Sequence, residues 1–111
     1  MKNHNRPSVG KFVHTVFFWF KEPNNKTARA TFEASLSKFI SNSAYVLTAH
    51  IGTPAATNRP VIDSSYTYCY VATFENAADQ DAYQTEPPHL VFVEECKDFW
   101  AKVQVYDSVE L

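Results

Sequence analysis

Apolar and polar positions change period several times along the chain, and each change marks an element. Phe12 to Phe20 is rich in aromatic and β-branched side chains, the composition of a strand. Successive side chains of a strand point to opposite sides. Val13, Thr15, Phe17 and Trp19 therefore share one face, and His14, Val16, Phe18 and Phe20 share the other. Both sets are mainly apolar, so both faces are expected to be buried. Lys21-Glu22-Pro23-Asn24-Asn25 interrupts the strand, and Asn24 or Asn25 suits a helix N-cap. From there to about Ser41, Ala28, Phe32, Leu36, Phe39 and Ile40 recur at helical spacing, which predicts an amphipathic helix with one face on a core.

A second strand is predicted from about Ala44 to Gly52 and a third from Tyr66 to Phe74. The polar stretch between them, Thr53 to Ser65, holds Pro54, Asn58 and Pro60 and reads as a loop. The two strands are expected to pair antiparallel across a connection too long for a tight hairpin. Asn76 can cap a short helix reaching Tyr83, with Asp79 in a capping-box-like position. Pro87-Pro88 ends anything helical before it, and Pro88 can open a new helix. That helix would run to about Phe99, with His89, Phe92, Val93, Cys96, Phe99 and Trp100 on one face. Lys102 to Asp107 is the last predicted strand.

The order β-α-β-β-α-β is the ferredoxin-like, α+β pattern: a four-stranded antiparallel sheet with helices on one face. The opposite face, if apolar, needs a cover, and a second sheet supplied by a two-fold dimer is the simplest one. The expectation is a homodimeric α/β barrel. Residues 1–10 read as a polar tail and residues 11–111 as a single domain.

Composition narrows the function classes. A chain of 111 residues holds one domain, and nine Phe, six Tyr and two Trp give it material for a sizeable core. With two glycines it lacks a Gly-rich phosphate loop. The net charge of −2, without a Lys/Arg stripe, argues against a nucleic-acid partner. Met1 to Gly10 contains no apolar run of a secretory signal, and no segment is apolar enough to span a membrane. Cys69 and Cys96 are expected to be free buried thiols, and a cytoplasmic location follows. No Cys-x-x-Cys or His-x-x-x-His spacing supports a metal site, and no nucleophile motif is present. Glu94-Glu95 reads as a solvated helix face, and Trp19 and Trp100 as core residues.

Three segments resemble the stress-responsive dimeric A/B-barrel family over roughly Phe12 to Asp107. Phe12-Val13-His14-Thr15-Val16-Phe17-Phe18-Trp19-Phe20-Lys21 is similar to the family's opening strand, with its early His and closing Lys. Tyr66 through Asn76 is similar to its third strand, with the Phe-acid-Asn ending. Asp81-Ala82-Tyr83-Gln84-Thr85-Glu86-Pro87-Pro88-His89 is similar to its Tyr then His-Pro-x-His signature.

The resemblance implies a ferredoxin-like subunit, a homodimer whose sheets close into a barrel, and functions that vary among members. One plant member is a polyketide cyclase that closes a ring by aldol condensation without metal or cofactor. The His and Tyr that act in that cyclase fall on His89 and Tyr83, and a His of its pocket falls on His14. A third pocket His falls on Tyr68, and the first His of the signature is Glu86 here. These two departures set the chain apart from the cyclase.

An aldol closure needs a base beside a carbonyl and a donor for the enolate that forms. Imidazole titrates near neutrality and suits the first role. A tyrosine hydroxyl suits the second, or holds the base. His89 and Tyr83 are thus the candidate catalytic pair, with His14 and Tyr68 as candidate ligand-binding residues. His50 reads as a residue at the sheet rim, and His4 lies in the tail.

Two functional classes stay open. One is a cofactor-free pocket for a small apolar or aromatic molecule, with cyclase or lyase-like chemistry. The other is a non-enzymatic, stress-related dimer in which the histidines are structural. A cofactor-free monooxygenase of the related antibiotic-biosynthesis type is a further enzymatic variant, against which the Tyr-Pro-Pro-His segment argues.

Overall fold

A computed structural model describes residues 9–111. The tail reading for residues 1–8, and His4 with it, lies outside the described residues. The chain runs β1 (Phe12–Phe20), α1 (Lys26–Asn42), β2 (Thr48–Gly52), β3 (Tyr68–Phe74), α2 (Ala77–Tyr83), α3 (Pro87–Cys96), a single 3-10 turn (Lys97–Phe99) and β4 (Trp100–Val109). The strands form one antiparallel sheet in the order β2-β3-β1-β4. This is the ferredoxin-like arrangement expected from the element order, with the helices on one face.

Local chemistry sets most boundaries. The Asn25 side chain accepts the Ala28 N–H at 3.0 Å and opens α1. Asn76 does the same for α2 through the Asp79 N–H at 2.8 Å. Pro87 occupies the first turn of α3, where a missing N–H costs nothing.

Two boundaries differ from the sequence reading. The second strand begins at Thr48 instead of Ala44, because the Glu86 carboxylate captures the Ser43 hydroxyl at 2.6 Å and the Ala44 N–H at 2.8 Å. The chain is thereby held at the end of α1 until the Leu47 N–H reaches the Thr73 carbonyl. The last strand begins at Trp100, which pairs with Phe20, so Trp100 leaves the helix face assigned to it.

The core lies between the sheet and α1 and α3. Phe12, His14, Val16, Phe18 and Phe20 alternate along β1 as buried residues facing the helices. Phe32 of α1 is wholly buried; it stacks on Tyr68 at 4.6 Å between ring centroids and meets Phe18 edge-on at 4.9 Å. Phe92 of α3 meets Phe18, Phe32 and Phe39 in the same layer. Ser35 donates to Glu95 at 2.6 Å, so Glu95 ties α3 to α1 where a purely solvated face was expected. Cys69 is half-buried, Cys96 is buried, and both are free thiols. Among the described residues no helix is long and apolar enough to cross a membrane.

The opposite face of the sheet is only half-covered in the single chain. Val13, Thr15, Phe17 and Trp19 are half-buried where burial was expected, since no second layer among the described residues lies over them. Phe17 centres an aromatic cluster there with Tyr66, Trp19 and Tyr106. β4 adds Lys102, Gln104 and Ser108 to that face, and the Lys102 Nζ sits over the Trp19 ring at 4.7 Å from its centroid.

Phe32→Ala should cost about 3–5 kcal/mol of unfolding free energy, the usual loss for truncating a fully buried aromatic ring. Urea denaturation followed by tryptophan fluorescence would measure it. A loss below about 1 kcal/mol would show that the layer can collapse around the gap.

Candidate functional site

The helix-facing stripe of β1 carries one polar residue, His14, and the site is built around it. His14 is 5% exposed, and its Nδ1 lies 2.6 Å from Oδ1 of Asp107. The two residues face each other across the β1–β4 ladder, so strand register alone brings them together. A carboxylate at Nδ1 fixes the tautomer that leaves Nε2 as the basic nitrogen.

Tyr83, at the end of α2, packs edge-on against His14 at 5.9 Å between centroids and lies 5.6 Å from the His89 ring. Its hydroxyl is 2.9 Å from that of Tyr70 on β3, and not hydrogen-bonded to either histidine. Burial, above all, lifts the Tyr70 phenol to about 12, and its bond with Tyr83 opposes this. The Tyr83 phenol is also raised, first by burial and then by Tyr70. Both are neutral hydroxyls at any physiological pH.

His89 enters from the first turn of α3. Its N–H of the main chain bonds to the Glu86 carbonyl, and its ring meets Phe39 at 5.3 Å. Burial, and after it the neighbouring His14, holds the His89 imidazole below its ordinary value, while the Gln84 backbone and Glu86 pull the other way. Its buried Nδ1 makes no hydrogen bond among the described residues. The same is true of the indole Nε1 of Trp100.

His14, Tyr70, Tyr83, His89 and Trp100 line one cavity of about 130 Å3. Val16, Phe18, Phe39, Phe92 and Val93 complete its apolar wall. Val103 and Val105 of β4, 40% and 41% exposed, place the cavity beside an edge strand and open it toward solvent. A larger groove of about 230 Å3 runs between α1 and α3, but it gathers no histidine or tyrosine.

Three of the four sequence candidates therefore converge: His14, Tyr83 and His89. Tyr68 does not join them. It shares a sheet face with Tyr70 but sits two residues earlier, at the start of β3, stacked on Phe32. Its hydroxyl donates to Glu33, and the Arg29 guanidinium lies 4.8 Å from its ring centroid. Burial first, and the Glu33 bond second, raise its phenol to about 12.

His50 is exposed on the opposite face of the sheet, its ring so close over Gly52 that a Cβ there would fall 2.7 Å from Nε2. Among the described residues no three His, Cys, Asp or Glu side chains gather as a metal site.

The sequence reading missed Asp107, Tyr70 and Trp100. Asp107 had a signal, as the one acid on the Val103, Val105, Val109 stripe of the last strand. Tyr70 had only its period-two relation to Tyr68, and Trp100 was assigned to the wrong element.

A ferredoxin-like subunit with a histidine- and tyrosine-lined cavity between sheet and helices defines the class. Residues 12–110 match the stress responsive A/B barrel domain, and the chain belongs to that family. By sequence no curated protein matches it. Among solved structures it is similar to a Dabb family protein with a ferredoxin-like fold from Mesorhizobium loti, at 24% identity over 90% of this chain and 96% of the other, with a TM-score of 0.74. It is similar to the hydroxynitrile lyase of Passiflora edulis at 21% identity over 94% and 96%, with a TM-score of 0.75. A dimeric ferredoxin-like protein from Thermobifida fusca matches at 15% identity over 97% and 100%, with a TM-score of 0.74.

A depressed histidine binds its proton less well in the folded than in the unfolded chain, so stability contributed by neutral His89 falls as pH drops through the ordinary value of 6.5 toward the folded one. NMR titration of the His89 ring should give a midpoint below 6.5. His89→Ala should flatten the loss of stability over that window. A midpoint above 6.5 would place a stabilising anion at the ring and contradict the burial argument.

Proposed function

We propose that each subunit binds a small apolar or aromatic molecule in this cavity and acts on it by acid–base chemistry of the cyclase or lyase kind, with His89 as base and Tyr83 assisting. The observation that carries the reading is the convergence of His14, Tyr83 and His89 on one aromatic-walled cavity. Neutral imidazole is a competent base for a proton next to a carbonyl. Phenols held neutral can donate to the enolate oxygen that results. The likeness to a hydroxynitrile lyase supports proton-transfer chemistry on such a frame.

A second base has its own observation: the Asp107 carboxylate at 2.6 Å backs His14. A non-enzymatic reading also has one, since Tyr83 bonds to Tyr70 and not to His89.

Proton exchange separates these readings without a known substrate. In D2O, the protein should speed deuterium uptake at the carbon next to the carbonyl of cyclohexanone, followed by proton NMR. His89→Ala should lower that rate on the order of 100-fold. Exchange lost in His14→Ala but kept in His89→Ala would move the base to His14. A rate no greater than that of buffer would leave a binding protein.

We also propose a homodimer whose second sheet covers the Phe17 face. The half-buried Val13, Phe17, Trp19 and Val71 and the exposed Tyr106 form an apolar patch that water covers poorly, and the Thermobifida fusca relative is dimeric. Two free cysteines fit a reducing, cytoplasmic setting. Light scattering after gel filtration should give twice the subunit mass, and Phe17→Asp should give a single subunit. A monodisperse single chain at micromolar concentration would rule the dimer out.

A further inference from the structure

Two hydrogen-bond donors in the His14 cavity have no acceptor among the described residues. Trp100 lines the cavity, and its buried indole N–H, which can only donate, has no partner among the described residues. The Tyr70–Tyr83 contact joins two hydroxyls at 2.9 Å. It uses one of their two hydrogens, and no acceptor among the described residues takes the other. The imidazole nitrogens of His14 and His89 include acceptors, but neither ring bonds the Trp100 N–H or a tyrosine hydroxyl.

No Asp, Glu, Lys or Arg lines the cavity, the Gln84 side chain is exposed, and the nearby Asp107 is already engaged by His14. A buried donor without an acceptor costs about 1–3 kcal/mol, which a ligand oxygen would recover. The space, about 130 Å3, is close to the roughly 150 Å3 that accommodates benzene in an engineered cavity.

Resting on the reading of this cavity as a ligand site, we infer that Trp100 and the Tyr70–Tyr83 pair select its ligand, and that this ligand is a neutral molecule of about one six-membered ring bearing an oxygen acceptor. Charge is excluded because no Asp, Glu, Lys or Arg lines the wall, His14 is already paired with Asp107, and burial disfavours a protonated His89, so an ion would be buried unpaired. Size excludes long-chain ligands unless the edge-strand mouth takes their remainder. Trp100 and Tyr70 act in recognition, separately from the proposed base.

The chain's two tryptophans make the test direct. In nitrogen-15-labelled protein the Trp100 indole resonance is assigned by its loss in Trp100→Phe. Trp19, whose Nε1 donates to Ser65 at 3.0 Å, serves as the internal control. Three probes are titrated: cyclohexanone, methylenecyclohexane, which has the same shape without the acceptor, and cyclopentanecarboxylate, a charged acceptor.

Cyclohexanone should move the Trp100 indole proton and leave Trp19 in place. It should bind about fivefold or more tightly than methylenecyclohexane, the ratio that one recovered hydrogen bond gives. That preference should fall to within about twofold in Trp100→Phe, and shrink in Tyr70→Phe, which decides the matter should Trp100→Phe not fold. The carboxylate should not bind. Equal binding of the two neutral probes to the unaltered protein would overturn donor selection while leaving the cavity as a ligand site. Tighter binding of the carboxylate would overturn the requirement for neutrality. If no probe moves the Trp100, Tyr83 or His89 resonances, the ligand-site reading falls as well.

Discussion

The structure depends on one aromatic layer, clamped between the sheet and two helices. Phe18 of β1 reaches Phe32 of α1, Phe92 of α3 and Trp100 of β4 at once. Outside that layer, α1 and α3 are joined by the Ser35–Glu95 bond, while Glu86 ties the chain just before α3 to the end of α1. A few such hydrogen bonds contribute less than the whole layer of buried rings, so the rings set the helix positions and the hydrogen bonds refine them. His89 occupies the first turn of α3, and Tyr83 ends α2 just before the proline turn. Both are therefore held by the layer at one remove, and the cavity lies beside it.

Within such a layer a polar group stands out by its cost. His14 is matched by Asp107, and the two tyrosine hydroxyls are matched in part, sharing one bond that leaves one hydrogen over. The His14–Asp107 pair is satisfied without a ligand. The His89 Nδ1 and the Trp100 N–H lack partners, and both lie on the same cavity wall. Native folds rarely leave such groups unpaired, and where they do, function is the common reason. The contrast between matched and unmatched groups separates the part of the site that maintains the fold from the part that is open to a ligand.

The sequence shows the fold well because the fold follows from local periods. Alternation in Phe12–Phe20 sorted the residues of β1 into its two faces without showing which one meets the helices, and Asn25, Asn76 and Pro87-Pro88 marked helix starts that the structure keeps. The site is less legible because it depends on register. Tyr68 and Tyr70 lie on the same face of β3, and a family alignment favours the first. Only the packing of Phe32 against Tyr68 shows that the second faces His14. The His14–Asp107 contact joins residues 93 positions apart, and a one-residue slip of β4 would send Asp107 to the other side of the sheet. Strand 2 was drawn too long because Glu86, which draws Ser43 and Ala44 away from the sheet, is remote in sequence.

The two faces of β1 serve separate needs, and their separation constrains how the protein works. His14 points into the cavity side, while Val13 and Thr15 on either side of it point to the half-covered face. In the proposed dimer, the partner's sheet would press on Val13, Thr15 and Phe17, one backbone away from the base-bearing stripe. β4 links the faces most closely: Tyr106 belongs to the Phe17 cluster, and its neighbours Val105 and Asp107 belong to the cavity and its histidine. β4 is also an edge strand, paired in the single chain with β1 alone, and edge strands are the elements that shift most easily without a neighbour. Covering the Phe17 face would therefore fix β4, and with it the carboxylate that orients His14. Assembly and the geometry of the site are coupled through a single strand, so a subunit on its own would hold its cavity less firmly than a subunit in the pair.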